Sequence, residues 1–457
     1  MISKTPRPSL GRDLTELLTL AWPVVISRVG FMTMGLIDTL VVARYSTEQL
    51  GFHALAWAIS GVVMTTGFGL LSGVQVMTAR HRGEGRPEAT GGVLRRGSVY
   101  AFWIGLVSML ALSFGGEILL SSLRLEPQLV AGAAPVLAVF AFSLPLYMIG
   151  GAGSFYLEAL SRPRTVTVAV VVCNVLNLAV DLVLVPGGLG IPALGAAGAA
   201  WGTFVARLVL MIWFYVAIVR LPDARALGLF AKPIDGPAAA REQRRIGYGA
   251  GISMFVESAA FTAMSIIAGW LGGIAVAGWG ILLNFAALVF MAPLGLGAAA
   301  SVLVGKAYGA GDRIGVRRFG ALSFAVCAGV LTLVALIVFV AAGPIAAGFT
   351  PDPMLQAMVA AGLVLSCLFF VADGLQVVAA NALRAQSDVV VPTVTHTISY
   401  SFVMCPLAWF LAIPIGMGLS GIVWAVAVAS LMAASFLIAR FWWITRPRAH
   451  RALDAKT

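Results

Sequence analysis

Four acidic residues of this sequence lie deep inside long apolar segments, where a charged side chain is costly. They are Asp38, Asp181, Glu257 and Asp373. Ionisable groups retained in such surroundings usually serve a function, such as binding an ion or relaying a proton. The chemistry of this chain is therefore expected first at these four positions.

The first two acids have polar neighbours at helical spacing. Asn174, Asn177 and Asp181 follow the spacing i, i+3 and i+7, so they share one helix face. Asp38 and Thr203 are expected at a similar depth in other segments. Carboxylate, amide and hydroxyl oxygens suit a small hard cation, and two adjacent carboxylates can instead share a proton. We predict a cation-coupling site here; a polar network that only ties helices together is the alternative.

The other two acids belong to the second half of the chain. Glu257 and Asp373 each fall near the middle of an apolar segment, so a cavity must reach them if they are to meet an ion. Pairing with Arg28 or Arg207 is the structural alternative, but both arginines lie in the first half. We predict that Glu257 and Asp373 bind the cation or the substrate.

Composition shows which elements must position these residues. The 457 residues are 60% hydrophobic and 11% charged, whereas soluble domains carry about 25% charged residues. A membrane-spanning helix needs about 20 apolar residues, and the unbroken runs at 168–185 and 322–342 do not alternate as barrel strands do. The lipid bilayer is therefore the expected environment. The predicted spans are 14–43, 49–80, 95–116, 129–160, 165–186, 194–219, 245–271, 275–306, 318–342, 353–385, 389–412 and 418–443.

The basic residues are distributed unevenly about these spans. All but four of the 30 Lys and Arg residues fall at one side; the exceptions are Arg28, Arg44, Arg124 and Arg207. This is the positive-inside pattern, and it predicts that both termini are cytoplasmic. The net charge of +11 therefore reports topology, and no nucleic-acid partner is expected.

The chain also divides into two similar halves. Span 2 ends in Gly83-Glu84-Gly85-Arg86 and span 8 in Gly309-Ala310-Gly311-Asp312. Six spans per half make the repeats parallel, with a central cavity between the lobes. We predict an all-α polytopic membrane protein of 12 transmembrane helices in two six-helix lobes related by a pseudo-two-fold axis. The boundaries are an N-terminal lobe at 1–220, a loop at 221–243, a C-terminal lobe at 244–445 and a tail at 446–457. Pro23, early in span 1, is a candidate hinge.

Several motifs together resemble one family. They are Pro23 with Leu36-Ile37-Asp38-Thr39, Phe290-Met291-Ala292-Pro293-Leu294-Gly295, Asp373-Gly374-Leu375-Gln376-Val377-Val378 with Leu383-Arg384, and Gly190-Ile191-Pro192-Ala193-Leu194-Gly195. Over nearly its whole length the chain resembles the multidrug and toxic compound extrusion (MATE) family, in particular its NorM-type bacterial branch. Two departures are Arg28, where many members carry glutamine, and Phe369, where some have tyrosine.

The resemblance implies a monomeric antiporter of the bacterial inner membrane that exports amphipathic, often cationic, organic compounds by alternating access. It implies exchange against Na⁺ or H⁺, with coupling roles for Asp38, Asn177 and Asp181, including a possible Na⁺ site, and further roles for Glu257 and Asp373. No cofactor beyond the coupling ion is implied. Enzyme motifs are also missing: position 300 is alanine where a phosphate-binding loop needs glycine, and there is no H-E-x-x-H.

Two other functions stay open. A lipid-linked precursor flippase of the same superfamily would need a cationic cavity for phosphates, for which the sequence offers Arg28 and Arg207. A membrane-embedded enzyme would use Glu257 and Asp373 as an acid–base pair.

Overall fold

A computed structural model describes residues 10–122 and 126–446. Within these ranges 12 helices are long and apolar enough to cross a membrane, which confirms the predicted number of spans. In order they are Leu10–Tyr45, Thr47–Gly83, Pro87–Ser122, Pro127–Ala159, Pro163–Leu184, Ala196–Val219, Pro237–Trp270, Gly273–Gly309, Arg313–Phe349, Pro353–Arg384, Val390–Ala412 and Leu419–Ile444. They are called spans 1 to 12 below.

Proline and capping residues set many of the helix starts. Proline has no amide hydrogen and a fixed φ, so it fits the first helical turn, where amide groups lack partners anyway. The side chains of Ser46, Asp312 and Asp352 accept hydrogen bonds from backbone amides at the starts of spans 2, 9 and 10, as N-caps do. Prolines begin spans 3, 4, 5, 7 and 10, at Pro87, Pro127, Pro163, Pro237 and Pro353.

Two spans are interrupted near a proline. Span 4 breaks between Pro127–Phe142 and Leu144–Ala159, two residues before Pro145. Span 11 changes from an α-helix at Val390–His396 to a π-helix at Thr397–Met404, and returns to an α-helix one residue before Pro406. A proline cannot donate to the carbonyl four residues earlier and its ring clashes with it, so the preceding turn must rearrange. Wider π turns often occur at functional sites.

The two lobes dock at the end of the bundle that carries most of the Lys and Arg residues, called the basic end here. There the final turns of spans 2 and 8 are buried on nearly every side, at 73–81 and 295–305. Glycines allow the backbones to touch: a Cβ at Gly247 would overlap the carbonyl of Leu70, and one at Gly73 would overlap that of Gln243. Arg80 adds hydrogen bonds across the interface to the carbonyls of Ala385, at 2.9 Å, and Arg384, at 3.2 Å.

The segment between the lobes is shorter than predicted. Span 7 begins at Pro237, so residues 237–243, assigned to the loop, form its first turns; their polar side chains extend the helix beyond the apolar region. The remaining linker packs on span 3, where the Gly91 amide donates to Leu227 and Arg86 pairs with Asp235 at 2.9 Å. Outside the described residues lie 1–9, 123–125 and 447–457, which include most of the predicted tail. Six basic residues of the charge pattern fall there: Lys4, Arg7, Arg124, Arg448, Arg451 and Lys456.

Candidate functional site

Asp38 is the centre of a fully buried cluster in the N-terminal lobe. Its carboxylate accepts a hydrogen bond from Asn177 Nδ2 at 3.0 Å and another from the Thr203 hydroxyl. All three side chains are fully buried. Spans 1, 5 and 6 thus meet at one carboxylate.

Asp181 completes this cluster. Its carboxylate faces that of Asp38, close enough for the two to share a hydrogen bond when one is protonated. No donor in residues 10–122 or 126–446 bonds to either oxygen of Asp181, or to Asn177 Oδ1. Three buried oxygens are therefore available to a proton or a small cation.

Asn174 does not join this cluster. It lies one turn away along span 5, where its amide donates to the carbonyl of Gly30 at 2.9 Å. Two turns further, Thr167 donates to the carbonyl of Pro23 at 2.6 Å. Pro23 itself lies within a continuous helix, Leu10–Tyr45, so its role as a hinge stays a prediction. Span 5 thus holds span 1 through backbone carbonyls on both sides of Arg28.

Two further side chains of the N-terminal lobe lie at or beside this cluster without having been assigned to it from the sequence. His53 of span 2 is fully buried, with Nε2 4.0 Å from Asp38 Oδ2. Arg207 of span 6 is 5% exposed and follows Thr203 by one turn; it donates to Ser143 at 2.5 Å and to Met64 Sδ at 2.9 Å rather than to a carboxylate. Both are ionisable residues inside apolar spans, the same signal that identified the acids.

Glu257 and Asp373 line one cavity of about 260 Å³ in the C-terminal lobe. Asp373 accepts hydrogen bonds from Tyr400, at 3.2 Å, and Ser430, at 3.1 Å. Glu257 accepts a longer one, 3.4 Å, from Gln376. Most of the remaining wall is apolar and includes Phe261, Leu283, Ala286, Phe290, Leu294 and Phe369, while Thr65 comes from span 2 of the other lobe.

Arg384 belongs to this cavity. It is the last residue of span 10 and is 5% exposed. Its guanidinium donates to Ser253 at 2.8 Å and lies near enough to Glu257 to attract it. His396, buried at 3% exposure, lines the same wall.

Arg28 pairs within its own lobe. Its guanidinium donates to both oxygens of Glu158 at 2.9 Å, and Gln75 donates to the same carboxylate at 2.8 Å. Arg162, four residues after Glu158, instead pairs with Asp223 at 2.9 Å. Arg28 therefore adds no uncompensated charge to the N-terminal cluster.

The donor sets of both lobes have little in common with a resident metal centre. Across the described part of the chain, no three His, Cys, Asp or Glu side chains are grouped so that they could hold a metal ion. The four cysteines are free. The two clusters instead combine a pair of acids with one buried arginine and one buried histidine each.

Sequence comparison gives this chain relatives over nearly its whole length. The MatE family model matches residues 23–183 and again 250–410. A protein described as probable multidrug resistance protein NorM from Caulobacter vibrioides is 49% identical over 441 residues, covering 96% of this chain and 94% of that one. Multidrug resistance protein PmpM of Pseudomonas aeruginosa is 30% identical, covering 89% and 84%.

Structural comparison finds the same architecture in solved proteins. The eukaryotic MATE transporter AtDTX14 superposes with a TM-score of 0.86 at 19% identity, over 94% of this chain and 95% of that one. A transporter of the MOP superfamily from Pyrococcus furiosus, described as having a binding pocket of reverse polarity, superposes at 0.85 with 16% identity, over 95% and 96%. At 19% and 16% identity, this similarity shows a shared fold only.

Proposed function

The chain belongs to the MatE family and is a multidrug efflux transporter, and from this premise we propose that it exchanges amphipathic organic cations for H⁺ or Na⁺. One observation carries the proposal: each lobe holds a pair of acids within its spans, the fully buried Asp38 and Asp181 in one lobe and the half-buried Glu257 with the buried Asp373 lining a cavity in the other. Buried acids in a membrane protein commonly mark an ion pathway. The enclosed pair suits a small inorganic cation, and the cavity suits a larger organic one.

The C-terminal cavity has the chemistry expected of a site for an amphipathic cation. Binding pockets for small molecules are mostly apolar, with a few polar groups that fix orientation. Here Phe261, Phe290 and Phe369 supply aromatic surface, while Glu257 and Asp373 supply negative charge. Aromatic faces also attract cations directly. We infer that the organic cargo binds in this cavity.

The docking of the lobes supports alternating access. Contact between the lobes at the basic end, through Gly73, Gly247 and Arg80, closes the path to the cavity from that side. If the basic end is cytoplasmic, as the positive-inside pattern indicates, this arrangement faces outward. Entry of a cation into the N-terminal cluster would then be driven by the membrane potential, which supplies about 2.3 kcal/mol per charge per 100 mV.

The direct test is the substitution Asp38→Asn. The amide keeps the size of the side chain but removes the charge that attracts a cation, so ethidium efflux from cells should fall to the level without transporter. The protein should still be present in the membrane at normal amounts. The matched control is Asp352→Asn, because Asp352 caps span 10 at an exposed position and asparagine caps equally well.

Undiminished ethidium efflux by the Asp38→Asn variant would refute the proposal. Loss of efflux in both variants would mean that the assay reports expression rather than coupling. Immunodetection in isolated membranes separates these outcomes.

The flippase alternative is disfavoured by the charge of the cavity. A lipid diphosphate needs several cations, and here Arg384 is opposed by Glu257 and Asp373. The enzyme alternative is excluded by membership of a transporter family. Measured flipping of a polyprenyl-diphosphate lipid by purified protein would revive the former.

A further inference from the structure

His53 is a buried titratable group for which the exchange proposed above gives no role. Its ring stacks on Trp57, with centroids 6.2 Å apart and planes 9° apart, and meets the edge of Phe140 at 5.6 Å. Neither ring nitrogen has a hydrogen-bond partner within the described ranges. An unpartnered buried polar group costs about 1–3 kcal/mol, and native structures rarely keep one without reason.

The ring is aimed at the N-terminal cluster. Its Nε2 lies 4.0 Å from Asp38 Oδ2, about 1 Å beyond a direct hydrogen bond. Asp38 of span 1 is the charged group nearest to it, and Asp181 of span 5 and Arg207 of span 6 are the other charged members of the cluster. Span 4 presents Phe140, and its segment Pro127–Phe142 contains no charged residue.

The donor set of the cluster favours a proton over a metal cation, and its charge requires one monovalent cation. Two carboxylates and the permanently charged Arg207 leave one net negative charge, which one monovalent cation neutralises. The uncommitted oxygens are the two of Asp181 and Oδ1 of Asn177, because Asp38 already accepts from Asn177 and Thr203. Hard metal ions usually take about six or more oxygens in proteins. A proton needs only one lone pair.

We propose that the N-terminal cluster is a proton site in which His53 and Asp38 pass the coupling proton between them. The O–H bond of protonated Asp38 breaks and an N–H bond forms at His53 Nε2, leaving a carboxylate beside an imidazolium. No other reactant is consumed. The new ion pair draws Asp38 away from Asn177 and Thr203, so the proton's position is linked to the packing of span 1 against spans 5 and 6. The inference rests on the exchange function proposed above.

The test uses purified full-length protein in lipid vesicles with ethidium as cargo and with pH and Na⁺ gradients imposed separately. The pH gradient should drive the wild-type protein, and the Na⁺ gradient should not. His53→Gln and His53→Phe should each lower pH-driven transport by about tenfold or more and flatten its pH profile. Both should bind ethidium in detergent within about twofold of the wild type, because His53 is not in the drug cavity. His53→Phe keeps the ring stack on Trp57.

The matched control is His81→Gln, a second buried histidine of span 2, at the basic end and paired with Glu84 and Asp235. Its pH profile should match that of the wild type. A wild-type protein that moves ethidium under no gradient would refute the exchange function itself. A coupled wild type driven by Na⁺ alone, or His53 variants with an unchanged pH profile, would overturn only the present inference.

A measurement on the wild type tests the proposal even if the His53 variants do not fold. The ¹⁵N signals of the imidazole rings report protonation directly, and the protein contains four histidines. A buried imidazole other than that of His396, which lines the ethidium cavity, should change its protonation state when ethidium is added between about pH 5 and pH 8, the range in which histidine switches. Signals that do not respond to ethidium at any pH in this range would overturn the proposal.

Discussion

At the scale of single residues, Gly202 decides whether the two acids of the N-terminal lobe can meet. A Cβ at this position would overlap Asp181 Oδ1 and would lie 3.4 Å from Asn177 Nδ2. The carboxylate of Asp181 therefore occupies the space that any larger residue of span 6 would fill. The distance between the two acids depends on the absence of a side chain in a third helix.

Gly202→Ala should uncouple the transporter without removing an ionisable group. Overpacking a buried site costs about 1–3 kcal/mol, which here would displace Asp181 from Asp38. Efflux of ethidium should fall about tenfold, the factor that corresponds to about 1.4 kcal/mol. The control is Gly61→Ala, because nothing lies within 4 Å of a Cβ there. Efflux that survives Gly202→Ala unchanged would show that the contact between the acids is dispensable.

Much of this site followed from the sequence, and the remainder required the packing. The spacing of Asn177 and Asp181 and the depth of Asp38 indicated one shared site, because helical periodicity and cost of burial are local properties. The separate position of Asn174 was not predictable, since its partner is a backbone carbonyl of another span. The burial of Arg384 was not predictable either, because it depends on packing against Ser253 of another span.

At the scale of elements, the π-helix of span 11 carries Tyr400 to Asp373. The hydroxyl donates to the carboxylate at 3.2 Å, and the ring of His396 meets that of Tyr400 at 5.9 Å. The π turn ends just before Pro406, which cannot donate to the carbonyl of Phe402. A proline at the end of the segment thus rotates a side chain near its middle toward the acid.

Pro406→Ala should allow span 11 to return to regular α-helix and turn Tyr400 away from Asp373. Ethidium affinity should fall by about tenfold or more, as expected for loss of a hydrogen bond to a charged group, about 1.5–3 kcal/mol. Tyr400→Phe removes the same hydroxyl without changing the backbone, and should weaken binding to a similar degree. Equilibrium binding to purified protein measures both. Wild-type affinity in Tyr400→Phe would show that the π segment does not act through this contact.

The apolar pattern of the sequence predicts where the spans lie but not where a span is interrupted. All 12 predicted spans correspond to observed helices, because apolar length is a strong signal. The breaks within spans 4 and 11 were not predicted, although Pro145 and Pro406 stand beside them. Whether a proline kinks, breaks or widens a helix depends on which neighbours satisfy the freed carbonyl.

At the scale of the whole molecule, backbone contact at glycines holds the basic end closed. Gly69 lies against Ala250 and Gly251, and Gly309 lies against the carbonyl of Arg80. Small residues at helix crossings allow such close approach in membranes. Ion pairs also cross between the lobes at this end, such as Arg318 with Asp13 at 2.8 Å. A single side chain added at one of the glycine contacts can nevertheless alter the balance between closed and open arrangements.

Gly247→Val should open the basic end. Its Cβ would overlap the carbonyl of Leu70, and overpacking of about 1–3 kcal/mol would shift the population toward separated lobes. The control on the same span is Gly269→Val, where nothing lies within 4 Å. The reporter is Ser301→Cys, a near-isosteric change at a position 1% exposed in span 8, placed in a protein without the four native cysteines. The introduced thiol should be alkylated from the basic side faster in Gly247→Val than in the wild type, and no faster in Gly269→Val.

An equal alkylation rate in both glycine variants would mean that the lobes do not separate along this seam.

The central claim is that movement of an organic cation is obligatorily linked to opposite movement of an inorganic one through buried acids. The most direct measurement follows ethidium and the inorganic cations simultaneously in the same vesicles, starting from an ethidium gradient alone. The account predicts that ethidium leaving the vesicles draws protons or Na⁺ inward, and that Asp38→Asn abolishes both fluxes together. Ethidium that equilibrates with no opposing cation flux, in the wild type or in the Asp38→Asn variant, would contradict it.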